Sequence, residues 1–71
     1  MRPNPMTILI IEDDAEECNR FKKCEKERDD IKIVAITDSD VEGLKYVKTK
    51  KPEGIILDLE LITVKQETEI H

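Results

Sequence analysis

The segment ILIIEDD, at residues 8–14, decides the fold of this chain. Its four apolar residues run directly into three acidic ones, and a second apolar run, IIL at residues 55–57, ends in the same way at Asp58. Unbroken apolar runs of this length are typical of short strands covered on both faces of a parallel sheet. If the two strands are parallel neighbours, their carboxylates meet at the carboxyl edge of the sheet, where open α/β sheets bind ligands. Clustered carboxylates repel one another, so this edge predicts a site for a divalent cation.

Two helix patterns alternate with three strand patterns along the chain. Asp14 is followed by Glu17, and Ser39 is followed by Glu42, which in each case is the outline of a capping box at the start of a helix. Pro52 predicts the end of the second helix, because the residue before a proline resists the α conformation. We expect strands at residues 7–11, 31–36 and 54–59, and helices at 15–28 and 40–51.

The apolar stripe of the first helix is thin, because Lys22, Glu25 and Lys26 fall where a well-buried helix would carry Leu or Ile. In the first helix, Glu16 and Arg20 are spaced to form a supporting ion pair. The side chains expected to face the sheet are Ala15, Cys18 and Phe21 in the first helix and Val41, Leu44 and Val47 in the second.

The element order β-α-β-α-β predicts parallel strands joined by right-handed crossovers, with helices on both faces of the sheet. Strand order 2-1-3 places the first strand in the middle and makes the edge beside it the topological switch point. Glu12, Asp13 and Asp58 lie at that point. We expect an N-terminal tail at residues 1–6, the α/β domain at 7–61, and a tail or strand extension at 62–71.

Composition excludes some classes of function. The 71 residues carry a formal net charge of −5, which disfavours nucleic-acid binding because phosphate contacts need clustered Lys and Arg. No apolar run approaches the length of a membrane span, so no membrane partner is expected and we interpret the chain as cytoplasmic. Cys18 and Cys24 are six residues apart in one helix pattern, too far for a disulfide, so we expect reduced, half-buried thiols.

The sequence resembles the receiver domain of a two-component response regulator. The residues that carry the resemblance are ILIIEDD at 8–14 and EGLKYVKTKKPEGIILDLEL at 42–61. It covers residues 7–61, which correspond to about the first half of a receiver domain. The fold that it implies is a truncated flavodoxin-like receiver, and the function is that of a phosphoacceptor module in a phosphorelay.

The resemblance also implies a role for each matched residue. Asp58 is similar to the phosphoacceptor, which takes a phosphoryl group from a histidine kinase or a small phosphodonor. Asp13 and Asp58 would bind Mg²⁺ weakly through their side chains, and the backbone carbonyl of Glu60 would be a third ligand. Glu12 would hold the metal indirectly, through water.

The sequence departs from the receiver pattern after Asp58. Receivers usually carry a proline and then a glycine after the acceptor, but residues 60–66 read ELITVKQ and contain neither. The hydroxyl residue and the lysine that contact the phosphoryl group in receivers have no match. We therefore expect a truncated, frameshifted or deliberately cut receiver with impaired stable phosphorylation.

Two other classes of function compete with this interpretation. Phosphatases of the haloacid-dehalogenase type also use an aspartate after an apolar strand. In this chain, Glu60 stands where they carry a second aspartate, and Ile62 stands where they carry Thr or Val. The other alternative is a receiver-like remnant without catalysis that acts as an α/β self-association or interaction module.

Self-association is itself an expectation from the sequence. The third strand has no neighbour on one side in the 2-1-3 order, and its alternating pattern extends to Val64. An apolar edge with little charge is a template for pairing with another chain. We therefore expect a homo-oligomer through the strand edge at 54–64, formed by edge pairing or by exchange of segments.

Overall fold

The computed structural model describes residues 4–57 and 60–64, which form one mixed sheet and two helices. The α/β class expected from the sequence is confirmed. No helix in this described part is long and apolar enough to cross a membrane. In chain order the elements are β1 (Met6–Ile11), α1 (Ala15–Glu27), β2 (Ile31–Thr37), α2 (Asp40–Lys50), β3 (Gly54–Leu57) and β4 (Glu60–Thr63).

Strand β1 lies at the centre of the parallel part of the sheet. The strand order is β2-β1-β3-β4, and β1 pairs in parallel with β2 on one side and with β3 on the other. The predicted parallel order 2-1-3 is therefore confirmed. The apolar run of β1 supplies the core, since Ile8, Leu9 and Ile10 are only 5%, 0% and 1% exposed.

Strand β4 is the main departure from the predicted fold. The alternating pattern allowed an extension of the third strand to Val64, but Glu60–Thr63 pairs antiparallel with β3, with Ile55 opposite Ile62 and Leu57 opposite Glu60. Alternating apolar and polar residues suit a longer strand and a returning strand equally well, so the pattern could not separate them. The return is favoured by aliphatic pairs between the two strands. The expected third strand reached residues 58 and 59, which lie outside the described residues.

The pairing of β4 also corrects the expectation that β3 has an open edge. Strand β3 has a neighbour on both sides, β1 and β4, so it offers no edge to another chain. Within the described residues, the outer strand on this side is β4. Ile62 and Thr63, which the sequence assigned to a tail or strand extension, belong to β4.

Helix α1 begins and ends close to the predicted positions, but its details differ. Cys18 and Phe21 are half-buried as expected, whereas Ala15 is exposed. Arg20 pairs with Glu17 at 3.2 Å rather than with Glu16. Glu25 is half-buried and its Oε2 accepts a hydrogen bond of 2.8 Å from the backbone N–H of Ile33, which ties the helix to the edge strand β2.

Helix α2 packs on the sheet through a face that the sequence pattern did not predict. The side chains of Val41 and Leu44, expected to be buried, are 66% and 64% exposed. Val47 is half-buried, and the buried residue of this helix is Gly43. The end of the helix is as predicted: Lys51 adopts a left-handed conformation with φ of 49°, and the buried Pro52 follows it.

Close contact at Gly43 explains the orientation of α2. A β-carbon built on Gly43 would lie 2.5 Å from Cδ1 and 3.1 Å from Cγ1 of Ile11, so only a residue without a side chain fits here unless Ile11 moves. The helix therefore sits on the end of β1 at Gly43. With the helix in this position, Val41 and Leu44 remain largely exposed to solvent.

We expect Gly43→Leu to destabilise the fold by about 1–3 kcal/mol, because the added side chain overpacks the contact with Ile11. Thr49→Leu adds a leucine at an exposed position of the same helix and should change stability by less than about 0.5 kcal/mol. Urea unfolding followed by circular dichroism measures both. Equal stability of the two variants would show that Gly43 does not fix the position of α2.

Candidate functional site

The three parallel strands end at the same level, and this alignment builds the candidate site. Ile11, the last residue of β1, is paired with Thr37 at the end of β2 and with Leu57 at the end of β3. The backbone N–H of Glu12 donates a hydrogen bond of 2.9 Å to the carbonyl of Thr37, which extends the contact between β1 and β2 by one residue. Residues that follow these strand ends therefore gather at one edge of the sheet.

An open concavity of about 420 Å³ lies at this edge. Four of the residues that line it carry carboxylates, and the other two are the apolar strand ends. The lining residues are Ile11, Glu12, Asp13, Asp38, Asp40 and Leu57. The structure thus brings together two of the predicted site residues, Glu12 and Asp13.

Asp38 and Asp40 were not predicted as site residues. Asp38 directly follows β2, and Asp40 is the first residue of α2. The signal that singled out Asp13 and Asp58, a carboxylate just after an apolar strand, also marks Asp38. Asp38 lies between Thr37 and Ser39, whose hydroxyl groups are typical of turns and helix caps.

Glu12 has a structural role in addition to its position in the concavity. Its Oε2 accepts a hydrogen bond of 3.1 Å from the backbone N–H of Asp14, just before α1 begins. A thiol contact adds to this, since Sγ of Cys18 lies 3.6 Å from the carbonyl oxygen of Glu12. Glu12 therefore fixes the path of the chain from β1 into α1, which was not foreseen.

Asp14 is a helix cap, as the sequence predicted. Its Oδ1 accepts hydrogen bonds from the backbone N–H groups of Glu16 at 2.8 Å and Glu17 at 3.3 Å. Asp13 lies between these two structural carboxylates and is exposed to solvent. Of the three acidic residues after β1, Asp13 is the one that the observed hydrogen bonds leave for ligand chemistry.

The loop before α2 is held by hydroxyl groups. Oγ1 of Thr37 accepts a hydrogen bond of 3.1 Å from the N–H of Ser39, and Oγ of Ser39 accepts one of 3.2 Å from the N–H of Glu42. The predicted capping role of Ser39 is confirmed. These bonds position the backbone that carries Asp38 and Asp40 beside the concavity.

The remaining predicted site residues have different outcomes. Asp58 lies outside the described residues, so its role stays a prediction. Glu60 lies in β4 opposite Leu57, and the assignment of its carbonyl as a metal ligand also stays a prediction. Among residues 4–57 and 60–64, no three acidic, histidine or cysteine side chains are close enough together to hold a metal ion.

No protein-family model matches this chain, and no solved structure matches it significantly.

We expect Glu12→Ala to destabilise the protein by about 1 kcal/mol, because the N–H of Asp14 loses its acceptor at the start of α1. Glu12→Gln keeps an acceptor oxygen and should recover most of this loss. Denaturant unfolding in buffer containing a chelator measures both variants without any contribution from a metal. An effect of Glu12→Ala that appears only when Mg²⁺ is added would contradict the structural role.

Proposed function

We propose that this chain is a receiver-type phosphoacceptor module of a two-component phosphorelay, with Asp58 as the acceptor. The observation that carries the proposal is the pairing of Ile11 with Leu57 at the ends of adjacent parallel strands. Asp13 follows one of these strand ends by two residues, and Asp58 follows the other directly in the sequence. Strand order 2-1-3 is also the order with which a flavodoxin-like sheet begins.

The proposed reaction needs few protein groups. A carboxylate oxygen of Asp58 attacks the phosphorus of a histidine kinase phosphohistidine or a small phosphodonor. A new O–P bond forms while the bond from phosphorus to the donor breaks, and the donor takes the electron pair. Phosphoryl transfer is mostly positioning and electrostatic stabilisation, which an acidic, open strand edge provides once a cation is bound.

The carboxylates that we propose for this edge are ligands of the type that Mg²⁺ prefers. This ion prefers oxygen ligands, keeps several waters, and needs only one or two carboxylates. Asp13 and Asp58 would supply side-chain oxygens, the backbone carbonyl of Glu60 a third ligand, and Glu12 a contact through water. When bound, the ion neutralises charge on the transferring phosphoryl oxygens. We place this proposed activity in the cytoplasm.

Strand β4 sets a limit on the analogy. In a flavodoxin-like sheet of order 2-1-3-4-5, a parallel strand lies beside the third one. Here the antiparallel β4 occupies that position. The 71 residues offer no match for the hydroxyl residue and lysine that contact the phosphoryl group in receivers, and we propose that stable phosphorylation of this 71-residue chain is impaired.

A second candidate function is self-association or interaction without catalysis. It is favoured by the large apolar side chains that remain exposed in the described part of the chain: Val41, Leu44, Leu57, Leu61 and Ile62. Because β4 covers the edge of β3, an oligomer would form through the outer edge of β4 or through the faces beside it. The chemical test that separates the two functions is phosphoryl transfer from acetyl phosphate, which a remnant should not accept.

We expect weak Mg²⁺ binding that depends on Asp13 and Asp58. Asp13→Asn and Asp58→Asn should each weaken binding about tenfold or more, because each removes a charged ligand. Asp29→Asn, an exposed charge-matched change in the turn between α1 and β2, should leave the affinity unchanged. Isothermal titration calorimetry measures the affinities. A parent-like affinity in Asp13→Asn would remove this site.

We expect acetyl phosphate with Mg²⁺ to give only a small, short-lived phosphorylated fraction, and none in Asp58→Asn. A phosphoryl group on Asp58 would lack two stabilising donors, each worth roughly 3 kcal/mol in comparable sites. Intact-protein mass spectrometry over time measures the fraction. Near-complete, long-lived modification would show that the site is not impaired. A total lack of both modification and Mg²⁺ binding would favour the second candidate function.

A further inference from the structure

An open apolar groove of about 350 Å³ lies between α2 and the β3–β4 pair. Leu44 and Val47 line its helix side, and Ile55, Leu57 and Ile62 line its sheet side. Ile55 and Ile62 are directly opposite each other in the antiparallel pair, so their side chains are on the same face of the sheet. No described element covers this part of that face.

Three of the exposed apolar side chains, those of Leu44, Leu57 and Ile62, line this groove. Val41 and Leu44 are three residues apart, so they lie on the same side of α2. Together with Leu57 and Ile62 they form what we name the α2 surface. Four of the five large apolar side chains exposed in the described part of the chain belong to it, and the fifth, Leu61, lies on the opposite face of the sheet.

We propose that a second copy of this chain docks on the α2 surface, with the two α2 helices antiparallel about a two-fold axis beside Leu44. A two-fold interface must be self-complementary, because the same patch serves on both subunits. The α2 surface can meet this requirement because the exposed side chains of α2 lie beside an open apolar groove, so the helix of one copy can contact the groove of the other. The proposal rests on the second candidate function, self-association, and holds whether or not Asp58 accepts a phosphoryl group.

The charges of α2 favour this arrangement over a parallel one. Asp40 precedes Leu44 by four residues and Lys48 follows it by four, so both lie near the side of the helix that carries Leu44. Antiparallel helices centred on Leu44 place Asp40 of one copy level with Lys48 of the partner subunit, and the two-fold axis repeats the pair. A parallel arrangement would bring like charges together, which suppresses wrong pairings.

The amino- and carboxyl-terminal turns of α2 strengthen the same preference. Asp40 and Glu42 are in the first turn, and Lys48 and Lys50 are in the last. The helix is therefore acidic at one end and basic at the other, and it is complementary to a reversed copy of itself. This complementarity is the reason for assigning the surface to a second copy rather than to an unrelated partner.

The first experiment compares two leucines of similar exposure by sedimentation velocity of the full chain. The parent protein should be a dimer at micromolar concentration. Leu44→Glu should raise the dimer dissociation constant by about a hundredfold or more, because two apolar contacts are lost at the centre of the interface. Leu61→Glu makes the same change on the opposite face and should leave the dimer intact. Circular dichroism confirms that both variants are folded.

A charge exchange tests the antiparallel arrangement itself. Lys48→Glu should weaken dimerisation roughly tenfold at low salt, because it places two acidic groups level with each other at both symmetry-related positions. The double variant Asp40→Lys/Lys48→Glu should restore it. Both effects should diminish at high salt, because screening weakens surface charge pairs.

Three results would overturn the proposal. The first is a folded monomer of the parent at every concentration tested. The second is a Leu44→Glu dimer with parent-like affinity. The third is dissociation by Leu61→Glu but not by Leu44→Glu, which would assign association to the β4 edge or the opposite face. None of these results bears on phosphoryl transfer to Asp58, which acetyl phosphate tests separately.

Discussion

The structure depends on strand β1. This strand pairs in parallel with β2 on one side and β3 on the other, and its last residue, Ile11, contacts helix α2. The side chains of Ile8, Leu9 and Ile10 form the buried core, and Ile11 at the end of the strand receives Gly43 of α2. Because β1 pairs in parallel with both neighbours, its carboxyl end is also where the acidic residues meet. The same short apolar run therefore builds the core and positions the candidate site.

Among the described residues, the buried hydrophobic side chains all belong to one strand. The stability of the molecule therefore depends also on pairing at strand edges and packing on the sheet faces. Small domains bury a smaller fraction of their surface than large ones and often need further support. The antiparallel pairing of β4 with β3 protects one strand edge and adds contacts between aliphatic side chains. It leaves Ile62 of β4 44% exposed, and Ile62 belongs to the α2 surface on which we propose that a second copy docks.

The parts of the fold that follow from local chemistry could be predicted from the sequence. Asp14 and Ser39 cap their helices because their side-chain oxygens accept the first free N–H groups, and that rule needs no tertiary information. The parallel direction of β1, β2 and β3 followed from the alternation of strand and helix patterns, because helical crossovers join parallel strands. The antiparallel direction of β4 did not follow, since alternation of apolar residues does not specify whether a chain continues or returns.

The orientation of α2 was missed for a different reason. The pattern of Val41, Leu44 and Val47 predicted a buried stripe, and periodicity indicates which side of a helix is apolar but not what covers it. Gly43 decided the contact with the sheet because it allows the closest approach. At the candidate site, the sequence did not predict that Asp38 lines the concavity or that Glu12 also accepts the N–H of Asp14, because spacing does not distinguish a carboxylate that holds backbone from one that faces an open cavity.

The acidic concavity and the apolar groove beside α2 share three lining residues, and this sharing has a consequence for both proposals. Ile11, Asp40 and Leu57 line the acidic concavity as well as the apolar groove. A cation that reduced the negative charge at the strand ends would therefore act next to the carboxylate proposed to meet Lys48 of the partner subunit. Coupling between two sites is reciprocal, so dimerisation would in turn change the affinity for the cation. With Asp40 at the boundary, the start of α2 is the element through which such coupling would operate.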